Sequence, residues 1–137
     1  MPSIDRVLET CLYVDNLENA ELFYRDLFGF ETLFADERIC VLNVNGFSTL
    51  ILFARGMSNE PIPTGGGFIP PHNGSGPAHF ALGITAADYE PWQKELRRRN
   101  IAIESEVRWP AGGRSLYFRD PDNHLVELAT PGIWAIY

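Results

Sequence analysis

The chain of 137 residues has a mass of 15.4 kDa, with 45% hydrophobic and 21% charged residues. That composition argues against disorder and fits one domain or two joined half-domains with a real core. With 11 Lys+Arg against 18 Asp+Glu, the formal charge of −7 repels phosphate, which excludes nucleic acid and anionic membrane as partners. No apolar run approaches 18 residues, and the start lacks a basic segment followed by an apolar one. The expectation is a cytoplasmic chain with no membrane span and no secretion signal. Cys11 and Cys40 lie in apolar stretches, so both are expected to be buried, reduced thiols.

In chain order, residues 7–14 are rich in strand formers. Asp15 with Glu18 three residues on makes a capping-box start for a helix. Apolar residues at Leu17, Ala20, Phe23, Tyr24 and Leu27 keep helical spacing, and Gly29 stops it. Strands are predicted at about 30–35, 38–44 and 48–54, with Asn45-Gly46 as the hairpin turn between the last two. Residues 56–76 are dense in Gly and Pro and form a linker or lid that holds no helix or central strand. Within it, Gly65-Gly66-Gly67 has no following Lys and no helix, so it is not a phosphate loop.

The same order then recurs: a strand at 78–84, a helix at about 88–99 capped by Asp88, and strands at about 101–107, 114–119 and 124–129. Tyr89, Trp92 and Leu96 form the helix stripe, and Pro91 falls in its first turn, where a missing N–H costs little. Val14 and Ile84, at matching strand-to-helix junctions, are 70 positions apart, as are Glu9 and His79. A duplicated strand-helix-strand-strand-strand unit accounts for this order. The modules span about 5–55 and 77–130 within a single domain of residues 1–137.

Alternation along each strand separates two surfaces. Thr10, Leu12 and Val14 face the helix, with Glu9, Cys11 and Tyr13 opposite. Phe80, Leu82 and Ile84 do the same, with His79, Ala81 and Gly83 opposite. In the last strand, Val126 and Leu128 alternate with Leu125, Glu127 and Ala129. Ser115 and Tyr117 share one face of the strand before it. Small residues beside ionisable ones leave room for a ligand, and a carboxylate such as Glu127 among apolar neighbours must be paired or bound. Its structural alternative is an ion pair with Arg114 or Arg119. His72 and His124 are expected at the surface, and Arg97, Arg98 and Arg99 offset a helix dipole.

At these residues the sequence resembles the vicinal oxygen chelate superfamily, which includes glyoxalase I, extradiol dioxygenases, fosfomycin-resistance thiol transferases and bleomycin-resistance proteins. The resemblance runs from about Val7 to Thr130. It rests on Val14-Asp15-Asn16-Leu17, Phe23-Tyr24-Arg25-Asp26-Leu27-Phe28-Gly29, Pro77-Ala78-His79-Phe80-Ala81 and the run from Leu116 to Glu127. It implies an α+β fold in which two βαβββ modules form a curled mixed sheet around a central cavity. The modules pair within one chain or by exchange in a dimer. His79 and Glu127 stand at ligand positions, and Glu9 stands where many members have their first histidine. Ile51 stands where glyoxalase I has another glutamate, so a fourth protein ligand is missing. Ser115 and Tyr117 match substrate-contact positions of the fosfomycin-resistance enzymes, and Glu127 matches a residue that is both ligand and base in glyoxalase I.

Two carboxylates and one imidazole suit a divalent metal among Mn, Fe, Ni and Zn, and three ligands leave positions open for substrate. The expected function is therefore a divalent-metal-dependent enzyme acting on a small oxygen-rich substrate by lyase, isomerase, thiol-transferase or dioxygenase chemistry. Glu9, His79 and Glu127 would hold the metal, and Glu127 and Tyr117 would be catalytic. Ser115, Tyr117, Tyr13 and Ile51 would contact substrate. The competing class is a metal-free protein that sequesters a small molecule or antibiotic. Ile133, Trp134, Ile136 and Tyr137 are too apolar to stand in water, which predicts that they pack on their own sheet or on a second copy in a homodimer.

Overall fold

A computed structural model describes all 137 residues. The chain divides into two compact units, Met1–Gly76 and Pro77–Tyr137. In the first, β1 (Glu9–Val14) leads to α1 (Leu17–Phe28), then β2 (Glu31–Ala35), β3 (Ile39–Val44) and β4 (Ser48–Ala54). The sheet order is β1-β4-β3-β2. β1 runs parallel to β4 and the other neighbours are antiparallel. These pairings make β2, at the opposite edge, run the same way as β1, and joining two strands of like direction takes a crossover, which is the place of α1. Its buried residues Ala20, Tyr24 and Leu27 form a core with Leu12, Val14, Leu42, Leu50 and Leu52.

The hairpin of β5 (Ile62–Thr64) and β6 (Gly67–Ile69) follows. It is a separate two-stranded piece, outside the four-stranded sheet. The Gly/Pro segment thus carries more local structure than its composition predicts, though no central strand. Its ends are tied down: His72 N donates to Ser58 O at 2.8 Å, and Arg55 Nη1 to Gly74 O at 2.9 Å.

The second unit repeats the plan. β7 (His79–Gly83), a 3-10 turn (Ala86–Asp88) and α2 (Tyr89–Arg98) precede β8 (Ser105–Arg108), β9 (Arg114–Arg119) and β10 (Leu125–Ala129). The order is β7-β10-β9-β8, with β7 parallel to β10. Tyr89, Leu96, Leu116, Phe118, Val126 and Leu128 are its core. The fold is α+β, built of two βαβββ modules as the sequence predicts. Gly29 and Asn100 take left-handed conformations beyond the helices, at φ 70° and 57°.

Several local expectations are corrected. Asn16, not Asp15, caps α1. It is the last extended residue, so its Oδ1 is the one that reaches Asn19 N, at 2.9 Å. Asp15 instead pairs with Arg55 Nε at 2.8 Å. Asp88 occupies the cap position of α2 but makes no capping bond with its side chain, because its Oδ2 accepts from Thr85 Oγ1 at 2.6 Å. The strand predicted from 101 begins at Ser105, after the reversal at Asn100. His124 is not at the surface but 1% exposed. The turn that carries it folds back, so Nδ1 accepts from Ala78 N at 2.8 Å and its own N–H donates to Asp120 Oδ1.

The cap assignment yields a direct test. Asn16→Ala should lower unfolding free energy by about 1 kcal/mol in equilibrium denaturation. Asp15→Ala, at an exposed position paired with Arg55, should cost less.

Candidate functional site

Register and alternation assemble the site of the second unit. Glu127 lies opposite Tyr117 on β9 and Ala81 on β7, while Ala129 lies opposite Ser115 and Leu125 opposite His79. The face away from α2 therefore gathers His79, Ser115, Tyr117 and Glu127. His79 Nε2 stands 3.2 Å from Glu127 Oε2. His79 Nδ1 lies 3.0 Å from Leu125 O, and a carbonyl can only accept, so Nδ1 carries the hydrogen. In the neutral ring, Nε2 then turns a lone pair toward a carboxylate oxygen that is also an acceptor. Two acceptors this close need a proton or a metal cation between them. Ligand bonds of about 2.0–2.2 Å to each would span that separation, and a backbone carbonyl fixing the far ring nitrogen is the usual support of a metal-bound histidine. His79 and Glu127 are donors of the type a divalent metal takes, two of the three or four it needs.

The other carboxylate oxygen is held by the protein. Glu127 Oε1 accepts from Ser115 Oγ at 2.6 Å and from Tyr117 OH at 3.1 Å. Ser115 is fully buried, and its Oγ accepts in turn from Trp109 Nε1 at 2.9 Å. Sequence reasoning did not single out Trp109. The signal was the Gly112-Gly113 turn, which sets Trp109 against Gly113 and brings its indole over the residue two further on. Burial pushes the Tyr117 phenol above its ordinary value. The Ser115 bond opposes that shift, while the Glu127 charge adds to it. Neither arginine of the alternative reading pairs with Glu127. Arg114 pairs with Glu90 and lies 3.6 Å over the Tyr89 ring, and Arg119 pairs with Glu104 at 2.7 Å.

Glu9, Tyr13 and Ile51 belong to the first unit, where they share a cavity of about 520 Å³ with Cys11, Phe53 and His72. Cys11 is exposed, contrary to expectation, because the alternation that buries Leu12 turns its neighbours outward. Partial desolvation pushes the thiol above its ordinary value, with the Glu9 charge adding to the shift, which favours the protonated form. His72 is half-buried rather than a surface residue. Its Nδ1 lies 2.6 Å from Tyr13 OH and its ring sits edge-on to Phe53 at 4.6 Å.

The pairing registers show what the duplication did. Cys11 pairs with Ile51 in the first unit as Ala81 pairs with Glu127 in the second. Ile51 is thus the structural counterpart of Glu127. The structure joins His79, Ser115, Tyr117 and Glu127, and joins Glu9, Tyr13 and Ile51 separately. No group of three His, Cys, Asp or Glu side chains is placed to hold a metal within this chain.

Comparison with known proteins agrees with this architecture. The family model described as Glyoxalase/Bleomycin resistance protein/Dioxygenase superfamily matches residues 3–128. A solved structure of lactoylglutathione lyase from Agrobacterium tumefaciens has a TM-score of 0.89 and 31% identity, covering 98% of this chain and 99% of that one. The metallothiol transferase FosB of Staphylococcus haemolyticus is 26% identical over 118 residues, which are 85% of this chain and 77% of that protein. The glutathione transferase FosA of Serratia marcescens is 33% identical over 61 residues, 44% of this chain and 41% of its own. On the match across residues 3–128, the chain belongs to the glyoxalase/bleomycin resistance protein/dioxygenase superfamily.

Proposed function

We propose that this chain is a divalent-metal-dependent enzyme acting on a small oxygen-rich substrate. His79 and Glu127 are two ligands, and Glu9 is the third, supplied by a first unit of the same chain or of a second copy in a homodimer. The observation that carries this reading is the pair of acceptors, His79 Nε2 and Glu127 Oε2, facing each other at 3.2 Å. When bound, the metal supplies Lewis-acid polarisation of a substrate oxygen.

The protein groups have separable roles. Ser115 and Tyr117 hold Glu127 Oε1 and so aim Oε2. Tyr117, its phenol pushed upward, keeps its proton at neutral pH and is not a base; its single proton, held by Glu127 Oε1 in the free protein, turns to a substrate oxygen when substrate arrives. Glu127 accepts the proton that the reaction releases beside it. The relatives named as a metallothiol transferase, a glutathione transferase and a lactoylglutathione lyase support a substrate that carries or meets a thiol. One observation favours a second reading, binding without chemistry: Tyr13, Phe53 and His72 bring three rings to one cavity, a surface suited to a flat ligand.

Two measurements test these assignments. Glu127→Gln keeps size but removes the charge. It should lower Mn, Fe, Ni or Zn affinity in titration by well over the ~10–100-fold expected of Ser115→Ala, which disturbs only the supporting bond. It should also abolish turnover of hemithioacetals, catechols or fosfomycin, whichever is a substrate. A sequestering protein would keep its ligand affinity in both variants. The second concerns assembly. If Glu9 crosses between copies, mixing Glu9→Gln with Glu127→Gln chains should restore about a quarter of the wild-type metal content, because random dimers place one intact set in each mixed pair. No recovery would remove the exchange of Glu9 between copies.

A further inference from the structure

The family match ends at residue 128, yet the residues beyond it close over the Glu127 face. Thr130 N donates to Arg114 O, and Arg114 N to Thr130 Oγ1 at 2.9 Å. Gly113 N donates to Gly132 O at 3.1 Å, and a Cβ on Gly113 would stand 2.6 Å from the Gly132 carbonyl carbon. Gly132 N reaches Tyr137 O and Tyr137 N reaches Trp134 O, both at 3.0 Å, which curls residues 132–137 into a closed loop. The Tyr137 phenol donates to Ile84 O at 3.0 Å. It crosses Gly83, where a Cβ would lie 2.7 Å from its oxygen.

This loop walls a cavity of about 360 Å³. Ala81, Gly83 and Ala129 are its small-residue side, and Ile133, Trp134 and Tyr137 stand across from them. Glu127 is its one charged group. The two oxygen-bearing side chains are already committed: Tyr137 donates to Ile84 O, and Glu127 is engaged by Ser115, Tyr117 and His79. What remains is apolar surface beside the carboxylate. The volume exceeds the ~150 Å³ that admits a benzene. Trp134, 74% exposed, presents a ring face free for stacking.

We propose that Ile133, Trp134 and Tyr137 are a specificity wall, and that the pocket takes an aryl substituent borne next to the oxygens that address His79 and Glu127. The assignment rests on the metal-enzyme reading for those oxygens. The aryl pocket itself stands on its lining.

The test titrates the metal-free full chain with benzamide and with acetamide, following the methyl NMR signals of Ala81, Ala129 and Ile133. Benzamide should give saturable shifts at all three, and acetamide none. Trp134→Ala should weaken benzamide by about three- to tenfold through the lost stacking face. Gly83→Ala should do likewise by pushing away the end of Tyr137, a side chain free to swing without unfolding the sheet. Ile136→Ala, at a 95% exposed position outside the cavity lining, should bind as wild type. Absence of methyl shifts, or wild-type affinity in both Trp134→Ala and Gly83→Ala, would overturn the wall. The same chain loaded with Mn²⁺ and offered benzohydroxamate and acetohydroxamate separates the two readings. Benzamide binding without tighter hydroxamate binding on metal loading supports the aryl pocket and removes the metal assignment. Preference for benzohydroxamate, lost in Trp134→Ala, supports both.

Discussion

Glu127 carries a negative charge on a strand whose other side is core, and it is only 8% exposed. A carboxylate so placed has to be surrounded by donors or cations, since an uncompensated buried charge costs several kcal/mol, on the order of ~3–5 once its partner is lost. Much of the second unit's ligand-facing surface follows from that constraint. Ser115 and Tyr117 are the cross-strand residues that can donate, and Trp109 in turn donates to Ser115. His79, its far nitrogen held by Leu125 O, completes the ring but brings an acceptor. The site is thus donor-rich around one carboxylate oxygen, while the other faces the His79 ring.

Duplication explains why the two units differ so much on equivalent surfaces. Each places the same strand pair, parallel and in the same register, at the edge of its sheet. Where the second unit has Gly83 and Ala129, the register gives the first Tyr13 and Phe53. Where the second has Glu127, the first has Ile51. One unit keeps a carboxylate and small neighbours; the other fills the same positions with rings and branched carbon. The space the small residues leave in the second unit is bounded by Tyr137 and Trp134, while in the first unit Tyr13, Ile51 and Phe53 themselves line the cavity with His72.

The Gly/Pro segment and the C-terminal loop play comparable parts. Neither contributes to a four-stranded sheet, and each lays a ring beside a ligand-facing surface: His72 beside Tyr13 and Phe53, Tyr137 across Gly83. Each is held at a glycine: Gly74, whose carbonyl accepts from the Arg55 guanidinium, lies against the Tyr13 ring, and Gly113, whose N–H donates to Gly132 O, lies against Gly132. Such segments are the natural place for ligand selectivity to vary, because they can change without disturbing the core beneath.

The sequence by itself determined the α+β plan, the duplicated order and the division of each strand into a core side and an opposite side. Those features follow from periodicity and turn chemistry, which are local. It also marked His79, Glu127, Ser115 and Tyr117, because charged or hydroxyl residues alternating with core residues must share a face. Tertiary structure decided what depends on chain reversal and close approach. A turn folded His124 inward, and the tied Gly/Pro segment carried His72 against Tyr13. A hairpin turn brought Trp109 onto Ser115, and the C-terminal loop laid Tyr137 across Gly83. Asn16 rather than Asp15 capped α1, since capping depends on which residue leaves the extended region last. In each case the partner lies across a turn or far along the chain, and spacing along a strand or helix carries no record of it.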